Sequence, residues 1–171
     1  MEKTEKYSLW FMPKGDIYKK LTDLIFQLSE KYSAPYFEPH VTLLHNLVMP
    51  EKEIIAKVSQ LAVVIHPFEI KLTKADYLEQ YFRCLFIRVK ETKEVIDANI
   101  KAKEAFVRQS DPKFMPHLSL LYGNFLPKIK EEIIGEIGRE FNEGFEVKSI
   151  HLFSSEEDIS QWHRIKEFYL E

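Results

Sequence analysis

The chain of 171 residues carries a formal net charge of −3, and 45% of its residues are apolar and 13% aromatic. This composition is typical of a folded globular protein and excludes a disordered or fibrous one. The negative net charge argues against binding along extended nucleic acid, which needs a basic surface to displace counterions.

The single cysteine, Cys84, excludes an internal disulfide and a cysteine-based zinc site and fits a reducing compartment. The charged segment MEKTEKYSLW lacks the apolar stretch of a secretory signal, and no run approaches the roughly 20 apolar residues that span a bilayer. We therefore expect a cytoplasmic protein without membrane contact.

The first half of the chain alternates between strand and helix patterns. Its predicted elements are a strand in YSLWFMP, a helix over 17–32, a strand over 35–44, a helix over 54–62 and a strand over 68–72. Asp16 is the predicted N-cap of the first helix.

The second half repeats this order. Its predicted elements are a strand near Cys84, a helix over 95–106, a strand over 112–121, a helix over 129–141 and closing strands over 147–153 and 162–169. Gly135 and Gly138 weaken the helix over 129–141, whose charged residues, Lys130 among them, are interpreted as a solvated face.

One motif occurs in both halves. PYFEPHVTLL at 35–44 and PKFMPHLSLL at 112–121 align over ten positions without a gap, and their histidines are 77 residues apart. We predict one domain over 1–171 with an internal repeat around 7–44 and 84–121. The expected fold is α+β and bilobal, with two pseudo-symmetric lobes of antiparallel sheet, outer helices and a central cleft.

The repeated motif places four polar side chains together. Successive side chains on a strand point to opposite faces, so His40 shares a face with Thr42, and His117 shares one with Ser119. Phosphodiester cleavage needs a base for the attacking oxygen and an acid for the departing one, and imidazole suits both roles near neutral pH. The hydroxyls of Thr42 and Ser119 suit the non-bridging phosphate oxygens.

Duplication supports a functional interpretation of these residues. One H-x-[Ser/Thr] in a strand is usually a packed or surface histidine, whereas two copies with the same proline and phenylalanine flanks favour a shared site. This chemistry requires neither metal nor cofactor, and the zinc motifs HExxH and CxxC and a glycine-rich phosphate loop do not occur.

The tetrads HVTL and HLSL resemble the signature of the two-histidine phosphoesterase superfamily. The segments YSLWFMP, FEPHVTLL, YFRCLFIRV and MPHLSLLYG are similar to its cyclic phosphodiesterase branch, and the similarity weakens after about Gly123. The resemblance implies a bilobal α+β fold with a catalytic set of His40, Thr42, His117 and Ser119.

The resemblance also implies a substrate and a setting. Members of that branch hydrolyse ADP-ribose 1″,2″-cyclic phosphate, a by-product of tRNA splicing, and often nucleoside 2′,3′-cyclic phosphates. Trp10 and Tyr122 resemble aromatic residues that line the cleft there, although both also fit a core position, and Tyr122 has the strand parity of Leu120.

Several other polar and aromatic residues have simpler interpretations. His45 lies five positions after His40 and on a regular strand would face away from the site, and Trp162 is interpreted as core. Arg83 and Arg88 flank a strand, and either is a candidate to attract an anion.

Two alternatives to a small cyclic substrate stay open. One is an enzyme of the same fold acting on RNA ends or 2′,5′-linked oligonucleotides, which would want a basic rim, and the other is a nucleotide-binding module without turnover. The near symmetry of the repeat leaves the proton-transfer roles open, with His117 as base and His40 as acid the working hypothesis.

Overall fold

The computed structural model describes residues 5–171, so the first four residues of the charged amino-terminal segment lie outside the described part. The elements, in chain order, are β1 Tyr7–Phe11, α1 Asp16–Tyr32, β2 Val41–Leu47, α2 Glu51–Val64, β3 Phe68–Asp76, the 3-10 turn Tyr81–Arg83, β4 Leu85–Val89, α3 Lys93–Ala105, β5 His117–Leu121, α4 Pro127–Ile137, β6 Gly144–Val147, β7 Ser149–Ser154, the 3-10 turn Ile159–Gln161 and β8 His163–Tyr169.

All eight strands belong to one antiparallel sheet with the order β6-β3-β4-β5-β2-β1-β7-β8. β2 and β5 lie at its centre and meet through a single residue pair, Val41 with Leu118. The sheet therefore consists of two four-stranded lobes joined at this seam, and the predicted bilobal α+β fold is confirmed.

The lobes exchange strands. β3 follows the first motif in the chain but pairs with β4 and β6 of the second lobe, whereas β7 and β8 come after the second motif and extend the first lobe beside β1. Each lobe is thus completed by strands from the opposite half of the chain.

Helices cover one face of the sheet. In β5, Leu118 and Leu120 are fully buried in the core that also holds the apolar faces of the helices, while His117 and Ser119 alternate with them and face the other way. Across the seam Val41 and other apolar residues of β2 enter the same core. The opposite, uncovered face of the sheet is therefore the cleft face.

Helix α1 illustrates why these segments are helical. Leu21, Ile25 and Leu28 recur at helical spacing and are buried. The predicted N-cap, Asp16, is instead the first helical residue, and the N-cap is Gly15, whose φ of 73° lies in the left-handed region that glycine adopts readily.

Several predicted boundaries were wrong. The strands predicted over 35–44 and 112–121 begin only at Val41 and His117, so His40 directly precedes β2. α4 ends at Ile137 because Gly138 has a φ of 91°, so Phe141 lies beyond the helix. The stretch 147–153 is not one strand, since β6 ends before Lys148 and β7 begins after it. Within residues 5–171, no helix is both long and apolar enough to cross a membrane.

The seam can be tested by Leu118→Ala. Leu118 is 0% exposed, and removing its buried side chain is expected to lower the free energy of unfolding by about 2–5 kcal/mol. Urea denaturation measures the effect, with Leu126→Ala as the matched control because Leu126 is 72% exposed. Equal stability of the two variants would contradict the burial of Leu118 at the seam.

Candidate active site

The register of β2 and β5 sets the geometry of the four predicted site residues. Because Val41 pairs with Leu118, extending this antiparallel register by one residue in each direction places His40 opposite Ser119 and Thr42 opposite His117. Directly opposed residues have Cβ atoms about 4.5–5.5 Å apart. The structure therefore brings both histidines and both hydroxyls together on the cleft face, each histidine beside the hydroxyl of the other motif.

Both imidazoles are anchored in the same way. His40 Nδ1 lies 2.8 Å from the backbone oxygen of Glu38, and His117 Nδ1 lies 2.8 Å from that of Met115. A carbonyl oxygen only accepts, so Nδ1 carries the proton in each ring. In each neutral imidazole Nε2 is then left with a free lone pair, which suits it to accept or return a proton.

His40 is held in an aromatic stack. Its ring lies 3.5 Å from that of Trp10, centroid to centroid and nearly parallel, and Phe153 stacks on Trp10 at 3.9 Å. His40 is 5% exposed, and this burial lowers its pKa to about 3, since the imidazolium form loses its hydration. His40 is therefore neutral near pH 7 in the free protein.

The segment that anchors His40 is itself supported. Tyr18 donates a hydrogen bond to Glu38 Oε1 at 2.8 Å, and Arg164 lies 3.8 Å from the same oxygen. Arg164 Nε in turn donates to His151 Nδ1 at 3.0 Å, which requires a neutral imidazole. Burial lowers the pKa of His151 to about 4 and so keeps this acceptor unprotonated near neutral pH.

His117 has a different environment. It is only half-buried, and the edge of Phe86 rather than a stacked ring contacts it, with centroids 5.1 Å apart. Burial is the largest cause that lowers its pKa, and the positive charges of Arg83 and Arg88 lower it further. The symmetric motifs therefore hold two chemically different histidines.

The two hydroxyls lie where they can meet a ligand. Ser119 is buried, and its Oγ lies 3.5 Å from the backbone oxygen of Phe82, at the limit of a hydrogen bond. The Thr42 side chain is half-buried and makes no hydrogen bond to another residue in the described part of the chain. Both groups are therefore available as donors to an oxyanion.

Three aromatic rings form a feature that we call the aromatic box, made of Phe82, Tyr122 and Trp162. The rings of Phe82 and Trp162 are nearly parallel, with centroids 6.5 Å apart, and Tyr122 is roughly perpendicular to both. The separation is close to twice the ~3.5 Å contact distance of stacked carbon atoms. The box is therefore suited to one planar ring between Phe82 and Trp162, and Trp162 also lies 6.4 Å from His40.

Trp10 and Tyr122, the two predicted aromatic residues, both lie at the cleft. Trp10 lines a cavity of about 620 Å³ together with Trp162 of the aromatic box, but it is only 2% exposed between its stacked neighbours. Tyr122 follows the end of β5 and stacks on Phe37 at 4.0 Å, and burial raises its pKa. Because Tyr122 lies beyond the end of β5, the alternation of side chains along the strand does not decide which way it points.

The loop between β3 and β4, which carries the turn Tyr81–Arg83, is fixed to the rest of the molecule. Lys130, predicted to lie on a solvated face, is 1% exposed, and its Nζ donates to the backbone oxygen of Leu78 at 2.8 Å. The Leu78 amide donates to Arg83 O at 2.9 Å, and the Gly123 amide donates to Tyr81 O at 3.1 Å. The 3-10 turn therefore stands at a defined place beside Ser119.

Sequence reasoning missed three parts of the site, namely Phe82, which no motif singled out, Trp162 and His45. Trp162 was interpreted as core within the last strand, whereas it precedes β8 and lines the cavity. His45 was predicted to face away from the site because side chains alternate on a regular strand. The pairing of β1 with β2 has a register shift next to Leu44. Leu44 therefore lies in the core beside Leu9, and His45 is exposed. His45 is close enough to His117 for their charges to interact.

The bilobal fold and the paired, Nδ1-anchored histidines on its cleft face define a two-histidine phosphoesterase. A family model described as cyclic phosphodiesterase-like protein matches residues 6–170. The chain belongs to this family of phosphodiesterases. The predicted superfamily and the predicted class of enzyme are thereby confirmed, and the alternative of a binding module without turnover is disfavoured.

Individual relatives agree with this assignment. The chain is 26% identical over 133 residues to the cyclic phosphodiesterase of Arabidopsis thaliana, in a match that covers 77% of this chain and 74% of the relative. Its fold is similar to that of TT0787 of Thermus thermophilus, with a TM-score of 0.70, 17% identity and coverage of 96% and 97% of the two chains. Its fold is also similar to that of E. coli LigT complexed with 3′-AMP, with a TM-score of 0.69, 16% identity and coverage of 98% of this chain and 99% of that chain.

The state of His40 in the free protein gives a testable prediction. Because burial lowers its pKa to about 3, its imidazole is expected to stay neutral, with the proton on Nδ1, as the pH falls from 8 to about 4. Long-range ¹H–¹⁵N correlation spectra report the tautomer and the charge, and His40→Ala assigns the signal. A His40 signal that titrates near pH 6.5 would contradict the burial of this ring.

Proposed function

We propose that this chain hydrolyses a small cyclic phosphodiester on a nucleotide, with His40, His117, Thr42 and Ser119 as the reacting site. The observation that carries the proposal is the pair of imidazoles, each with Nδ1 bound to a backbone oxygen and each opposite a hydroxyl across the β2–β5 seam. Such a pair supplies both proton transfers of the reaction without a metal ion.

In the proposed reaction, a water molecule attacks phosphorus in line with the departing ribose oxygen. One imidazole takes the proton of the water as the new P–O bond forms, and the other gives its proton to the ribose oxygen as the old P–O bond breaks. Thr42 and Ser119 donate hydrogen bonds to the non-bridging oxygens, which carry the negative charge. The product is an acyclic phosphomonoester.

The environments favour one distribution of roles. The buried His40 holds a proton least readily, so it suits the base, and the half-buried His117 suits the acid. This is the reverse of the working hypothesis from sequence. A bound phosphate anion beside His117 favours the protonated ring and offsets the effects of burial and of the neighbouring arginines.

The aromatic box supports a nucleotide as the substrate. A base between Phe82 and Trp162 would place the attached ribose in the cleft that holds the two histidines, since the Trp162 ring lies 6.4 Å from that of His40. Nucleoside 2′,3′-cyclic phosphates carry the base on the ribose that holds the cyclic diester, whereas in ADP-ribose 1″,2″-cyclic phosphate a pyrophosphate separates the adenosine from that ribose. The structure of the relative E. coli LigT with 3′-AMP agrees with a nucleotide ligand. Trp10 acts in this proposal by holding His40.

The function is tested with adenosine 2′,3′-cyclic phosphate and ADP-ribose 1″,2″-cyclic phosphate in excess chelator, with product separated by chromatography. We expect turnover, and a loss of about 100-fold or more in kcat for His40→Ala and for His117→Ala. His66→Ala is the control, because His66 is exposed and bonds to the backbone of Glu171 away from the cleft.

The same variants test the roles on a nucleoside p-nitrophenyl phosphodiester, whose leaving group needs no proton. His117→Ala should lose far less activity on this substrate than on the cyclic one, while His40→Ala should lose activity on both. If instead His40→Ala loses far less activity on this substrate and His117→Ala loses activity on both, His117 is the base and His40 the acid. Absence of turnover of every substrate would refute the proposed function.

The aromatic box is tested by Phe82→Ala. Loss of one stacking surface, worth about 1–3 kcal/mol, should raise KM for a cyclic nucleotide about 5- to 150-fold. Steady-state kinetics measure the change, and Phe26→Ala is a matched control because Phe26 and Phe82 are 53% and 51% exposed. If both variants have the KM of the wild type, the base does not lie in the box.

A further inference from the structure

A second apolar cluster supports the His40 ring on the cleft face of the sheet, apart from the core beneath the helices. Its buried members are Trp10, Met12 and Phe153, and Tyr18 is among the residues that pack against it. The ring of Trp10 stacks on His40 at 3.5 Å and on Phe153 at 3.9 Å. One face of the His40 ring therefore rests on this small cluster.

Arg164 closes this cluster with a charged group. Its guanidinium carbon lies 5.4 Å from the centre of the Phe153 ring, within the range of a cation–π contact, and its Nη2 lies 3.5 Å from Met12 Sδ. The same Nη2 lies 3.8 Å from Glu38 Oε1, and the backbone oxygen of Glu38 binds Nδ1 of His40. Arg164 therefore contacts both supports of His40, the ring stack and the anchoring residue.

A register shift in the pairing of β7 with β8 brings two charged residues of β8 to one face. The shift gives β8 one extra residue, Ile165, next to the pair of Phe153 and Arg164. On a regular strand Arg164 and Glu167 would point to opposite faces, because they are three positions apart. Here both contact His151, Arg164 at Nδ1 and Glu167 near Nε2. The shift thus places Arg164 on the face that holds the cluster.

His151 orients Arg164 through a directed chain of hydrogen bonds. Arg164 Nε donates to His151 Nδ1 at 3.0 Å, so the proton of the neutral ring is on Nε2. Nε2 lies 3.2 Å from Ser149 Oγ, which donates to Glu167 Oε1 at 2.7 Å, and Lys14 forms an ion pair with the same oxygen. Because Ser149 gives its proton to the carboxylate and not to the imidazole, the chain is a support and not a second nucleophilic site.

We propose that Arg164 is a positioning residue for His40. This proposal rests on the proposed function, in which His40 takes the proton of the attacking water. Proton transfer needs the Nε2 lone pair at hydrogen-bond distance from that water, and a displacement of about 1 Å can lower a rate roughly 100-fold. Arg164 opposes such a displacement at both supports, since it closes the ring stack beyond Phe153 and pairs with Glu38.

The first test is Arg164→Gln, which removes the charge and the planar fork. The Arg164 side chain is 44% exposed, so the variant is expected to fold, and urea denaturation checks this. With adenosine 2′,3′-cyclic phosphate, kcat should fall roughly 5- to 50-fold at an unchanged KM, because Arg164 supports the base and does not bind the substrate. Lys166→Gln removes the same charge from the same strand, where Lys166 lies against Phe168, and should keep the wild-type kcat.

A double-mutant cycle separates positioning from a general structural role. Adding Arg164→Gln to His40→Ala should cause no further loss of kcat, because the residue that Arg164 positions is absent. Loss of the same factor in both backgrounds would overturn the proposal. A rise in KM at the wild-type kcat would also overturn it, because Arg164 would then contact the substrate itself.

The ring signals of His40 decide the proposal independently of activity. In the wild type the proton resides on Nδ1, so the ¹⁵N shifts of the two ring nitrogens are well separated. Arg164→Gln should bring these shifts closer together as the second tautomer becomes populated, while Lys166→Gln should leave them unchanged. If no substrate is hydrolysed, the proposed function fails, and His40 signals that are identical in Arg164→Gln and the wild type then refute the positioning role.

Discussion

The antiparallel pairing of β2 with β5 is the contact on which the rest of the structure depends. It rests on the single pair of Val41 and Leu118, buried in the common core. Because side chains alternate on strands, burying these two residues directs their neighbours in both motifs into the cleft. The seam that joins the lobes therefore also brings the reacting groups together. A substitution that alters the packing of Val41 or Leu118 is expected to displace the histidines and hydroxyls as well.

The pseudo-symmetric frame supports an asymmetric site. Both imidazoles use the same anchor to a carbonyl oxygen two residues earlier, which sets the same tautomer in each. What separates them is the neighbouring strand, since β1 offers the flat face of Trp10 to His40 while β4 offers the edge of Phe86 and the charge of Arg88 to His117. Two rings of one residue type thereby acquire different proton affinities, as an acid and base pair requires.

Much of this arrangement could be predicted from the repeat, because a ten-residue match and the alternation of strands suffice to place four side chains on one face. Three residues escaped prediction for physical reasons. A register shift reverses the parity that excluded His45, and the helical spacing of Lys130 does not reveal the carbonyl oxygen that receives its ammonium group. Trp162 fits a strand pattern although the strand begins one residue later. Each depends on contacts between segments distant in sequence.

The exchange of strands between the lobes bears on how the cleft can move. Neither lobe is a continuous segment of chain, since β3 leaves the first half for the second lobe and β7 and β8 leave the second half for the first. The chain passes between the lobes twice, from β2 to β3 and from β6 to β7. Rotation of one lobe against the other would therefore have to displace both connections at once. Opening and closing by a hinge is thereby opposed. Ligand entry then depends on movements of the side chains that line the cleft.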